Sequence, residues 1–366
     1  MRNKMTENVF SRKATAPNRL IFLDIAKGIG IILMVIEHCH YIISDQQFLK
    51  SSINGFHMLL FFIVAGITTW ISESKSQAPM PFLRVVKKKA IALLVPYFIA
   101  GILSILVLAA SDAAHYIPTL FLGYSSQMVF NFPLWFLPAL FLSDIIFSAL
   151  IRLSKRESKA LLFMLAVAFT IIGYYFVKVK HFLPWNLDIS LFSQVFLCVG
   201  YLAAPTLIKF ASKKCSIKEL LCIIVVFALT LTLYLLTVAN NMVSINGRFL
   251  GNVPIFFLDA FLGSFATLIF SILLSKIKYL SNAISFIGKH SLDILCWHMP
   301  IITIFYVYII PKLPGFIQEC LFGWHDKWLA AIILLTVTIL LSLLIHWLVF
   351  PRKIKNPLQQ SNKMSA

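Results

Sequence analysis

Ten apolar runs separated by short polar connections dominate this chain: 20–43, 54–72, 90–110, 132–152, 160–177, 188–208, 219–239, 254–275, 290–311 and 328–350. Each approaches the roughly 20 residues that an α-helix needs to cross a bilayer. The pattern predicts an all-α, polytopic transmembrane bundle of about ten helices. It divides the chain into a polar segment 1–19, a membrane domain 20–350 and a tail 351–366. The first run is too long and too charged for a cleaved signal peptide, so we read it as a retained helix. Between the eighth and ninth runs, Ser281 to His290 is polar but interrupted by Ile284, Phe286 and Ile287, and we assign it to a connection. There is no convincing internal repeat, which weakens the case for a transporter built from two related halves.

The first run carries more chemistry than a plain span needs. Asp24, Lys27, Glu37 and His38 lie within it or at its edges. An ionised side chain costs roughly 3 kcal/mol or more at the centre of a membrane helix, so such residues normally face a protein interior or a polar cavity. Asp24 and Lys27 are three apart, the spacing of an ion pair on one helix face. Lys27 and His38 return to nearly the same face, roughly 16 Å apart along the axis. A fixed cation and a titratable imidazole are thus expected to look into one cavity at different depths. The structural alternative is a polar seam that holds helices together.

Composition and charge narrow the class. Of 366 residues, 60% are hydrophobic and 13% charged, and the mean hydropathy is +0.88, which excludes an ordinary soluble domain. The net charge of +18 resides in short loops rather than in a basic arm, so it points away from nucleic acid. Of 32 Lys and Arg residues, 25 fall on the side shared with the N-terminus and six on the other, with Lys27 inside the span. The positive-inside rule then makes both termini cytoplasmic. Six cysteines show no CxxC spacing, so neither a disulfide framework nor a metal site is expected.

Further candidates follow along the chain. His38 ends one helix and His57 begins the next, so the two can meet; imidazole is well suited to take a hydroxyl proton when a neighbour such as Glu37 orients it. Arg84, Lys87, Lys88 and Lys89 form a basic cluster that serves either as a topology anchor or as a landing site for donor phosphates. Asn131 and Trp135 open the fourth span, where Trp135 belongs either to an interfacial aromatic belt or to a sugar-stacking cavity mouth. Asp293 and His298 are five apart, and only one of them need point inward. Asp144, Asp188 and Asp259 are expected to be helix-packing partners.

Taken together, these motifs resemble the integral-membrane acyltransferases of the acyltransferase-3 type, particularly the fucose 4-O-acetylase-like branch. The resemblance covers most of the chain. It rests on Leu23-Asp24-Ile25-Ala26-Lys27-Gly28 with His38, on Phe56-His57-Met58 with Phe61-Phe62 and Gly66, and on Leu93-Leu94-Val95-Pro96-Tyr97. Leu134-Trp135-Phe136-Leu137 and Ile287-Gly288-Lys289-His290-Ser291-Leu292 with His298 complete it. It implies transfer of an acyl group, usually acetyl, from cytoplasmic acetyl-CoA to a hydroxyl of a glycan or lipid-linked sugar in a bacterial inner membrane. The family's basic residue and histidine of the first helix map onto Lys27 and His38. Its paired basic residues before the Pro-Tyr segment are incomplete here, because Ala92 stands nearest that segment; Arg84 with Lys87, or the lysines at 87 to 89, take their place.

The expected site therefore has His38 and Glu37 as catalytic groups. Lys27, Arg84, Lys87, Lys88 and Lys89 bind the donor, and Asp24, His57, Asn131, Trp135 and His298 bind the acceptor. Two other classes predict similar membrane-embedded charges. A transporter or flippase of a sugar or lipid-linked intermediate would move substrate without consuming acetyl-CoA. In a non-catalytic scaffold, Lys27 and His38 would matter only to folding.

Overall fold

The first apolar run becomes helix α1, Ile21–His38, which is largely enclosed by its neighbours. The structure, a computed structural model, describes residues 20–39, 47–75, 80–124, 128, 130–154, 158–213, 216–239, 241–316, 318 and 327–349. Segment 1–19 and tail 351–366 lie outside them. After α1 come α2 (Gln47–Asn54) and α3 (His57–Ser74), joined by a turn at Gly55 and Phe56. Then follow α4 (Phe82–Leu108), α5 (Ala113–Leu122), a 3-10 turn at Phe132–Trp135 and α6 (Phe136–Leu153). The chain continues as α7 (Lys159–Lys178), α8 (Leu187–Phe192), α9 (Gln194–Ser212) and α10 (Ile217–Val238). It ends with α11 (Val253–Leu274), α12 (Lys278–Lys289), α13 (Ser291–Ile304) and α14 (Lys327–Val349).

Among the described residues the fold is an all-α polytopic bundle, with nine helical stretches long and apolar enough to cross a membrane. α1 is additional to these nine. It has 18 residues and carries Asp24, Lys27 and Glu37, more charge than an ordinary lipid-facing span tolerates. The protein solves this by placing α1 inside. α3, α11, α12 and α13 pack around it, and α3, α6 and α11 are mostly buried, whereas α7 and α10 turn most of their apolar surface outward. Peripheral helices that are apolar all round are what lipid contact requires.

Three expected boundaries shift. α4 starts at Phe82, so Arg84, Lys87, Lys88 and Lys89 occupy its first two turns rather than a loop. Lys and Arg are good helix formers, and Pro81 closes the N-terminus. Ser281 to His290 belongs mainly to a helix: α12 buries Ser281, Ser285 and Gly288 on one side and exposes Tyr279 and Phe286 on the other. Its charged and polar residues hid a helical period. The ninth span begins as α13 and continues through a π turn at Phe305–Ile309 and a 3-10 turn at Ile310–Lys312.

Glycines set the closest helix contacts. A Cβ on Gly288 would overlap the Asp24 carbonyl, and one on Gly28 would overlap the Ile284 carbonyl, so α12 lies directly against α1. Gly66 of α3 and Gly200 of α9 form a second reciprocal pair, facing the carbonyls of Leu197 and Ile63. In lipid, where apolar surface gains little from leaving one apolar phase for another, close backbone approach at small residues supplies much of the packing energy. Gly66→Ala or Gly200→Ala must push these backbones apart. We expect each to destabilise the fold by about 1–3 kcal/mol, read as a lower melting temperature of the detergent-solubilised protein. Unchanged melting in both variants would contradict this packing.

Candidate functional site

The last turn of α1, the first turn of α3, the 3-10 turn before α6 and the 241–252 connection meet around a cavity of about 170 Å³. Its walls include Glu37, His38, His57, Trp135 and Asn246. His38 Nε2 lies 2.9 Å from Glu37 Oε2, and His38 Nδ1 lies 3.0 Å from His298 Nε2. His298 is fully buried behind His38, and its Nδ1 faces the carbonyls of Ile294 at 2.9 Å and Leu295 at 3.0 Å. Phe132 packs edge-on against the His38 ring at a centroid distance of 5.0 Å.

Those partners fix the protons. A carbonyl only accepts, so His298 Nδ1 carries hydrogen. Full burial favours the neutral His298 ring, whose Nε2 is then the acceptor, and His38 Nδ1 donates to it. One further proton must lie between His38 Nε2 and Glu37, because a bare ring nitrogen and a carboxylate would repel. The Glu37–His38–His298 chain thus holds one proton more than two neutral imidazoles and a carboxylate, and its net charge is zero. An uncharged chain is far less costly to bury than an unpaired carboxylate. His57 stands apart from this chain: its Nδ1 donates to the Ile53 carbonyl at 2.8 Å, leaving Nε2 as the ring's acceptor.

The other expected site residues fall in different places. Trp135 is buried and lines the cavity, so it is no interfacial belt residue. Asn131 does not reach the mouth. It is fully buried, and its Nδ2 donates to Ser104 Oγ at 3.1 Å and to the Cys296 carbonyl at 2.9 Å, tying α4 to α13. Asp24 and Lys27 do pair, at 2.7 Å, but neither lines the His38 cavity. The expectation that Lys27 and His38 share one chamber is corrected here: Ile31, Met34 and Val35 are buried between them, and Gly30 packs against Leu60 and Phe61.

In the basic cluster, Lys89 is engaged by Asp144 at 2.5 Å and helps bind α4 to α6. Arg84, Lys87 and Lys88 are exposed, and their spacing puts them on one face of α4. Asp259 accepts from Thr237 Oγ1 at 2.5 Å and from Asn241 Nδ2 at 3.4 Å. These two acids play the packing role anticipated for them.

The 241–252 connection was missed as part of the site. Ser244 and Phe249 form an isolated antiparallel bridge, which presents Ser244, Ile245 and Asn246 to the cavity. Arg248 pins this turn. Its Nε lies 2.9 Å from Asp188 Oδ2, its Nη2 3.1 Å from Asp188 Oδ1 and 2.8 Å from Asn186 Oδ1, and its guanidinium stacks 4.2 Å over Phe182. Both charged side chains are fully buried. The Asn246-Gly247 dipeptide was the available sequence signal, since it marks a tight turn.

Buried spans around a histidine–carboxylate cavity define a multi-pass membrane protein with an enzyme-like centre. The acyltransferase domain family model matches residues 20–347, nearly the whole membrane region. No curated protein and no solved structure matches the chain. The chain belongs to the acyltransferase-3 family and is a membrane acyltransferase.

Removing one partner from a buried ion pair leaves an uncompensated charge, at a cost of about 3–5 kcal/mol. Arg248→Met should therefore lower the thermal stability of the detergent-solubilised protein, and adding Asp188→Leu should recover part of the loss. A single variant that melts like the parent would show that Arg248 does not hold this turn.

Proposed function

We propose that the protein is an O-acetyltransferase of the fucose 4-O-acetylase-like branch, moving acetyl from cytoplasmic acetyl-CoA to a hydroxyl of a glycan or lipid-linked sugar at a bacterial inner membrane. The observation that carries this reading is His38, in contact with Glu37 on one side and His298 on the other, at the wall of a cavity within a family-matched acyltransferase. The polar lining of that cavity supports a hydroxyl-bearing acceptor, and Trp135 offers an aromatic wall to a sugar ring.

In this reading the hydroxyl enters between Glu37 and His38 and breaks their contact. His38 Nε2 takes the hydroxyl proton as the oxygen attacks the thioester carbonyl. The carbon–sulfur bond breaks, and the shared proton, left on Glu37, passes to the departing thiolate. The proton on His38 then returns to Glu37, which restores the starting arrangement. An ester and a free thiol are the products, with no net proton taken up. His298 holds the His38 ring in place through Nδ1, leaving Nε2 for the reaction.

The donor enters from the opposite end of the bundle. Arg84, Lys87 and Lys88 hold its phosphates from one helix face, since ammonium and guanidinium groups match phosphate oxygens. Lys27, three-quarters covered and paired with Asp24, serves this end rather than the acceptor cavity. Lys89 contributes through packing.

Proton transfer by a positioned side chain typically supplies about 10²–10⁴-fold in rate. We expect His38→Ala to lose acetyl transfer by that order while the protein still inserts and folds, with a lower melting temperature because Glu37 and His298 lose this partner. Glu37→Gln should also lose activity, because it can no longer pass on the shared proton. The assay follows acetyl-CoA consumption and acceptor acetylation in detergent, where no gradient exists and transport has no readout. Parental rates in His38→Ala would remove its assignment as the base. In a second measurement, neutralising Arg84, Lys87 and Lys88 together should raise the donor KM; an unaltered KM would place the phosphates elsewhere.

A further inference from the structure

The class of acceptor can be read from a second cavity beside the first. It has a volume of about 300 Å³ and is lined by Gln47, Lys50, Ser51, Met242 and Val243 together with Glu37, Asn54 and Ser244, which it shares with the His38 cavity. The two are chambers of one cleft, closed on one side by α2 and on the other by the turn that Arg248 pins.

Lys50 is the fixed cation of this cleft. It precedes Asn54 by one helical turn on the same face of α2, about 6 Å along the axis from a residue that touches both chambers. It is half-buried, and no carboxylate pairs with it among the described residues. The one carboxylate among the residues that line the two chambers, Glu37, contacts His38. The remaining polar walls, Gln47, Ser51, Asn54 and Ser244, are neutral hydrogen-bonding groups of the kind that meet hydroxyls. An unmet hydrogen-bond acceptor lies in the adjoining first chamber: Asn246 lines it, and its buried Oδ1 has no hydrogen-bond partner, which suits a donating hydroxyl of the same substrate.

We infer that the acceptor is an anionic glycan, held through a carboxylate or phosphate by Lys50 in the second chamber while its reacting hydroxyl lies between Glu37 and His38 in the first. The inference rests on the acyl-transfer reading above and adds the substrate class. A partly desolvated ammonium gains most from a charged partner, because charge-assisted hydrogen bonds are about twice as strong as neutral ones. A neutral sugar in the same cleft would leave Lys50 without a partner. Because Glu37, Asn54 and Ser244 line both chambers, an anion at Lys50 and a hydroxyl at His38 belong to one bound molecule, so the cleft selects by both charge and position.

The test uses the full-length protein in nanodiscs, with acetyl-CoA and three matched oligosaccharides: neutral, uronic acid-bearing and phosphorylated. For the parent, kcat/KM should be at least about tenfold higher for one charged acceptor than for the neutral one. The better of the two charged acceptors identifies carboxylate or phosphate as the anion. Lys50→Gln should bring the ratio close to one, with the loss in KM rather than kcat, and Lys50→Arg should retain it. Added salt should narrow the preference in the parent. Equal use of neutral and charged acceptors, or a preference that survives Lys50→Gln, overturns the inference. Acceptor binding measured without donor separates it from the acyl-transfer reading. Anion-selective binding that Lys50→Gln abolishes upholds it even if no acetyl moves, and binding without that selectivity overturns it.

Discussion

Charge that cannot reach water must be neutralised by another part of the chain, and this constraint shapes the protein. α1 carries its ionisable groups where lipid would not tolerate them, so the remaining helices are arranged to keep it out of lipid. Asp24 is answered within α1 by Lys27, whereas His38 and Glu37 are completed from α13 by His298. The same requirement recurs between α4 and α6, where Lys89 meets Asp144, and beneath the 241–252 turn, where Arg248 meets Asp188. Buried pairs of this kind add little net stability over apolar packing, but losing one partner is costly, so each fixes which elements must be neighbours.

The two ends of α1 do different work. Toward its start, Gly28 and Gly288 bring the backbones of α1 and α12 together, and Asp24 is buried beside that contact. Such an approach makes this half a rigid support. Toward its end, side chains separate around the cavity, and the walls come from α2, α3, the turn before α6 and the 241–252 connection. A reacting group held by packed helices on one side and reached through turns on the other has a fixed position and an open approach, the combination that positioning catalysis needs.

Much of this was legible in the sequence because membrane spans announce themselves by length and hydropathy. The order of the helices, the central place of α1, the Asp24–Lys27 pair and the meeting of Glu37 with His38 all follow from spacing along single helices or across one short connection. Contacts that join distant stretches were not legible. His298 was expected among the acceptor-binding residues, but it is 260 residues from His38, and nothing local placed it against that ring. Arg248 lies in a polar connection of the sequence, and its partner Asp188 is 60 residues away. Asn131 misled for the opposite reason: its position beside an aromatic run matched a cavity mouth, but a single turn of 3-10 helix carries Trp135 to the cavity and leaves Asn131 buried against Cys296.

The proton count along Glu37, His38 and His298 also bears on how such a site can act at a membrane. In the resting chain both His38 nitrogens are engaged, so a ring that looks like a ready base is in fact satisfied. In the proposed mechanism it becomes a base only when something in the cavity separates it from Glu37. A water molecule gains little by doing so, since it must break a short contact between well-matched partners. The proposed sugar acceptor, held elsewhere by its own contacts, can offset that cost with binding energy from parts that do not react. In the proposed reaction, a satisfied histidine beside a cleft with separate binding groups thus favours transfer to a bound acceptor over wasteful hydrolysis of the thioester, and the protection comes from the same hydrogen bonds that make the buried chain tolerable.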